Sequence, residues 1–204
     1  MNRRHCILTT TLAAAGSALT PWAFAAHDGK IGAIEASEWT RINREAAEKL
    51  KAIKPDSTEL SKADQELLTE IAIGGMIQLE LSRVAAANAT SGDVKAYAEA
   101  EVEEQTGLAA KLKEIAGAKG AILPELPADK MKEAIDKMKA VDAPEFDAVY
   151  LGASGVDGHQ GLEATMKKVQ SSADDGILKQ VAETALPLIR IHLQAAKDEM
   201  KDKG

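Results

Sequence analysis

Apolar residues recur at spacings of three and four over most of the chain, the period of one-sided helices rather than of strands. Between residues 27 and 58, Trp39, Ile42, Ala46, Leu50 and Ile53 form one such stripe, which Lys54-Pro55-Asp56-Ser57 ends. This predicts a helix laid across the outside of a larger body. Four longer helices follow. The first starts at Ser61, with Asp64 in its first turn, and runs to about Asn88. Thr90-Ser91-Gly92 turns the chain into a second, from about Asp93 to Ala116 before Gly117 and Gly120. The third opens at Asp142, with Pro144 and Glu145 in its first turn, and reaches about Ser172. Asp174-Asp175 cap the fourth, which continues to about Lys201 and should be kinked at Pro187.

Two of the connections are short and predict antiparallel hairpins. The third, from Gly117 to Asp142, carries Pro124, Pro127 and a short helix marked by Met131, Ile135 and Met138. Two hairpins joined by one long crossover predict an all-α, ferritin-like four-helix bundle with an additional N-terminal helix.

The first residues have a different pattern. Arg3-Arg4 precede an apolar run from Ile7 to Leu19, and Ala23-Phe24-Ala25 is a small-x-small sequence. This reads as a cleavable export signal over 1–25, followed by an extension over 26–58 and the bundle over 59–204. The paired arginines also resemble a twin-arginine signal. Cleavage removes Cys6, the only cysteine, so the periplasmic product would hold no disulfide and no thiolate. No later segment approaches the roughly 20 apolar residues of a membrane helix. The net charge of −7 argues against nucleic acid as a partner, and a content of 3% aromatics argues against base-stacking surfaces. A protein partner or a homo-oligomer remains open.

Projected at 100° per residue, the four helices each turn a polar side chain inward. His159 lies in line with Leu162, Met166 and Val169, and His192 with Val181, Ala185, Leu188 and Ile189. Gln78 falls in the apolar arc of the 61–88 helix, and Glu101 and Gln105 in that of the next. Gln78, Gln105, His159 and His192 all lie about 13 to 18 residues into their helices, which predicts one central layer. That layer has two readings. In one, Gln amides satisfy the imidazoles in a hydrogen-bonded polar layer that fixes register and needs no cofactor. In the other, Glu101, His159 and His192 are a two-His-one-carboxylate metal site suited to iron or zinc. No nucleophile triad and no pair of Glu-x-x-His motifs for a di-iron centre are present, so the chain does not read as an enzyme. Gly152, Gly155, Gly158 and Gly161 recur every third residue and predict close helix packing, not a phosphate loop.

Several motifs occur together in order: Ser61-x-x-Asp64, Gly75 before Gln78-Leu79-Glu80-Leu81, and Val94-x-x-Tyr97-Ala98. Leu123-Pro124, Phe146-Asp147-x-x-Tyr150, His159-Gln160, Leu186-Pro187 and His192-Leu193-x-x-Ala196 follow. From Leu60 to Met200 the chain resembles the bacterial ferritin-like family called domain of unknown function 4142, often labelled outer-membrane or exported proteins. The resemblance implies an exported four-helix domain without a settled activity, structural or stress-related. It also implies Glu at the place of Gln78, an acid and a His at Glu104-Gln105, and an apolar residue at Glu101. By that measure this chain keeps two of four inward ligands and adds Glu101 one turn from the lost His.

Overall fold

The computed structural model describes residues 29–125 and 128–202; the segment read above as an export signal lies outside them. The protein is all-α apart from a two-stranded antiparallel ribbon of β1 (Lys30–Ile31) and β2 (Ile34–Glu35). Helices α1 (Ala36–Ala52), α2 (Lys62–Asn88), α3 (Gly92–Lys119), α4 (Ala128–Lys139) and α5 (Ala143–Tyr150) follow. A π-helical run (Leu151–Gly158) leads without a break into α6 (His159–Ser172), and α7 (Gly176–Asp202) passes through Pro187. No helix among the described residues is long and apolar enough to cross a membrane.

The caps fall where the sequence places them. Ser61 Oγ accepts from the Asp64 amide at 3.1 Å and donates to its carboxylate at 2.9 Å, which satisfies one end donor of α2. Gly120, at φ +66°, closes α3 in the left-handed region that a side chain would strain. Asp175 Oδ1 accepts from the Ile177 and Leu178 amides and starts α7. The turns are tied across the body as well. Asp147 on α5 accepts from the Thr90 and Ser91 amides, and Asp64 accepts from the Asp174 amide.

Helix α2 packs along α3, and α6 along α7. Their apolar faces merge into an aliphatic core that includes Leu67, Ile71, Leu112, Met166, Val181 and Ile189. A second buried cluster is aromatic, built on Trp39, Tyr97, Phe146 and Tyr150 with the small residues Ala195 and Ala196.

Helix α1 is less peripheral than its amphipathic stripe predicts. Trp39 and Asn43 are buried, and α1 touches both α3 and α7. Its far end is held by Lys111, whose ammonium donates to the Lys51 and Ile53 carbonyls at 3.1 and 2.7 Å. At its near end Gly32, at φ +58°, donates its amide to Glu199 at 2.6 Å; a Cβ there would lie 2.8 Å from the Ala195 carbonyl.

The helix expected from Asp142 to Ser172 loosens to π geometry over its glycine-rich stretch. Two of its glycines are needed for close approach. A Cβ at Gly155 would lie 2.7 Å from that of Ala196 on α7, and one at Gly158 would overlap the Gln78 amide. Around Gly161 there is open space.

Candidate metal centre

The two histidines arrive from different elements. His159 is the first residue of α6, directly after the π run, and His192 lies in the second half of α7; both are fully buried. From α3 come Glu101, also fully buried, and Glu104, three residues later and on the same helical face. One ligand-type atom from each of these four residues lies within 4.8 Å of all the others.

Hydrogen bonds behind the rings decide which nitrogens face this point. His159 Nδ1 donates to the Ser154 carbonyl at 3.0 Å. A carbonyl only accepts, so the neutral ring carries its proton on Nδ1 and a lone pair on Nε2. That Nε2 lies 2.9 Å from Glu101 Oε1. On the other ring His192 Nε2 donates to Asn43 Oδ1 at 2.8 Å. The amide orientation of Asn43 is set in turn, because its Nδ2 donates to the Trp39 carbonyl at 2.9 Å. His192 Nδ1 is then the inward lone pair; it contacts Glu101 Oε1 directly and lies 3.1 Å from Glu104 Oε2. Two lone pairs and two carboxylates thus face one another in a buried space.

Such a set needs positive charge, from protons on the imidazoles or from a cation among them. Without a cation, protons fill the role. Burial opposes charge on His192, but the Glu101 and Glu104 carboxylates outweigh it and raise its pKa to about 10. Burial likewise opposes charge on His159, and Glu101 raises it above the usual histidine range. Burial alone would raise the Glu101 carboxyl, and the two imidazoliums instead hold it well below the usual carboxylate range. The donor set is equally complete for a metal: two imidazole nitrogens with fixed tautomers, two carboxylates, and Glu101 Oε2 buried without a hydrogen-bond partner.

Aromatic rings enclose the site. Trp39 stacks on His192 with centroids 4.5 Å apart and planes 22° from parallel. The Tyr97 ring lies 5.7 Å from His192 and 6.2 Å from His159, and its hydroxyl donates to the His192 carbonyl at 3.3 Å. Tyr150 meets Tyr97 edge-on at 6.2 Å and shares a 2.9 Å hydrogen bond with Ser82. Burial, reinforced by the Glu101 charge, pushes both phenols above their ordinary pKa, so they remain protonated donors.

All five layer residues expected from the sequence are buried, and Glu101, His159 and His192 are brought into mutual contact. The two glutamines, however, do not satisfy the imidazoles. Gln78 exchanges hydrogen bonds with Ser154, donating to its carbonyl at 3.0 Å and accepting from its hydroxyl at 2.6 Å. Neither polar atom of the Gln105 amide has a partner among the described residues; it sits by Gly75 in a small, mostly apolar cavity between α2 and α3. The imidazoles instead take Ser154 and Asn43. Sequence reasoning missed Asn43, Ser154 and Glu104 as site residues. Two of them left a signal: Glu104 is three residues from Glu101, and Asn43 is a polar residue four after Trp39 within an apolar stripe.

The geometry defines an all-α protein with a buried two-histidine, two-carboxylate cluster. Residues 49–198 match the family model described as "Domain of unknown function (DUF4142)", and the chain belongs to that family. The match includes all four cluster residues and begins after Trp39 and Asn43. No curated protein and no solved structure matched the chain.

Proposed function

We propose that this protein is an exported, ferritin-like four-helix bundle that binds one divalent transition-metal ion through Glu101, Glu104, His159 and His192. One observation carries the metal reading. Asn43 and the Ser154 carbonyl hold both imidazoles in the tautomers that turn their free lone pairs onto the two carboxylates. The mixed nitrogen and oxygen donor set, without thiolate, suits iron or zinc. One ion with two carboxylates and two neutral imidazoles is balanced in charge, so the group fits the residues. When bound, such an ion supplies Lewis acidity and, if iron, a one-electron couple.

The ferritin-like reading is supported by two helix pairs with three-residue turns and one long crossover that holds α4. Export is supported by the Arg3-Arg4 start, the apolar run and the Ala23-Phe24-Ala25 sequence.

A second reading is favoured by the direct contact of His192 Nδ1 with Glu101. A carboxylate held between two imidazoliums would make this layer a purely structural, non-enzymatic feature that fixes register. The test is metal content after equilibrium dialysis against Zn(II) or Fe(II), for wild type and for His159→Ala and His192→Ala. One equivalent in wild type, lost in both variants, supports the metal reading. Substoichiometric metal that is the same in all three proteins leaves the structural layer as the answer.

A further inference from the structure

Helix α1 lies almost wholly before the family match, yet it supplies the residue behind one of the four ligands. We infer that Asn43 is a positioning residue of the metal centre: by accepting the Nε2 proton of His192, it makes Nδ1 the metal-ligating nitrogen. This rests on the metal reading above and adds to it a second layer contributed from outside the family match.

Three observations converge on it. The Asn43 amide cannot flip without losing a bond, because Nδ2 is already committed to the Trp39 carbonyl at 2.9 Å. Its Oδ1 therefore stands 2.8 Å from His192 Nε2 as a fixed acceptor. The other face of the ring is also set by α1, where the Trp39 indole stacks at 4.5 Å and keeps the imidazole in plane with that acceptor. A single turn of α1 thus fixes both the tautomer and the plane of the ring. Partners of this kind orient ligands and raise their basicity, and their removal costs about 10- to 100-fold in metal affinity.

The anchors of α1 fit the same role. Lys111, 5% exposed, spends two of its donors on the carbonyls of residues 51 and 53, and the Gly32 amide is tied to Glu199 on α7. These contacts hold α1 at both ends against the helices that carry the ligands, and set where Asn43 stands.

The experiment is a Co(II) titration of the full chain, followed by the visible ligand-field bands, for wild type, Asn43→Leu and Asn43→Asp. Asn43→Leu removes the acceptor and should weaken binding by about 10- to 100-fold. Asn43→Asp keeps an acceptor oxygen for Nε2 but gives up the bond to the Trp39 carbonyl, and should bind more tightly than Asn43→Leu. Proton–nitrogen correlation spectra of the Zn(II)-loaded wild type give a readout that packing would not move, and that holds even if Asn43→Leu fails to fold. His192 should carry its proton on Nε2 and its metal on Nδ1. Metal on Nε2, or a folded Asn43→Leu that binds Co(II) as tightly as wild type, would overturn the inference and leave the metal site standing. If wild type binds neither Co(II) nor Zn(II), the metal reading itself has failed, and this role of Asn43 with it.

Discussion

The two buried regions of this molecule follow different rules. Around Leu67, Ile71, Leu112, Met166 and Val169 the interior is aliphatic, and every element there is a regular α-helix. Around His159 and His192 the interior is aromatic and charged. There the chain leaves α geometry for eight residues, and two of its glycines let neighbouring groups approach. The first region is held by area removed from water, which is indifferent to the exact partner. The second is held by groups that are each costly to bury alone and stable only as a set.

The comparison can be broken most sharply at His192. In the metal-free protein, His192→Ala strips Glu101 of one of its two counter-charges and should cost about 3–5 kcal/mol, measured by chemical denaturation. The same change should abolish metal binding. Leu112→Ala, in the aliphatic region, should cost about 2–5 kcal/mol through the cavity it leaves, with metal stoichiometry by dialysis unchanged. Equal loss of metal in both variants would show that the regions are not separable.

pH should act on the charged region, and more gently than deletion of the ring. The raised pKa of His192 adds stability that is full below the ordinary value of 6.5 and is lost as pH rises toward about 10. The lowered pKa of Glu101 adds stability that is full above its ordinary 4.5 and is lost as pH falls below it. Metal-free protein should therefore melt highest between about pH 4.5 and 6.5. Metal affinity should run the other way, rising about tenfold per pH unit for each imidazole proton displaced, by competition with a chelator. A flat melting profile from pH 5 to 9 would argue against an imidazolium pair. The smallest effect is expected at the edge of the aliphatic region, where Ser61→Ala removes the α2 cap and should cost about 1 kcal/mol with no change in metal binding.

What was legible in the sequence divides along the same line. Periodicity and caps located α2, α3 and α7 to within a few residues, because Ser61, Gly120 and Asp175 act through their immediate neighbours. The inward placement of Glu101, His159 and His192 was legible for the same reason, since a helix relates its own residues by fixed angles. The partners behind the rings were not. Asn43 reaches His192 only through the docking of α1, 149 residues away in sequence. Ser154 contributes a backbone carbonyl, which no residue type announces. That carbonyl is reached by the His159 ring, while the His159 amide bonds back to Val156, three residues earlier.

The π run also sets how the gene can change length. A π segment accommodates extra chain within an otherwise continuous helix. Deleting one codon between Leu151 and Gly158 would let the segment tighten to α pitch, so that the residues before it stay close to their register with His159, whereas the same deletion in a regular α-helix turns one end by about 100° against the other. Tyr150 would keep Ser82 and Asp147 the turn at Thr90, while contacts made from within the run, such as the Ser154 carbonyl on the His159 ring, would be lost. Residues 120–125, which form no helix beyond the Gly120 cap, can absorb the same deletion locally. Single-residue loss should therefore be tolerated in that connection, and in the stretch before His159 should cost the partner of the His159 ring rather than the fold.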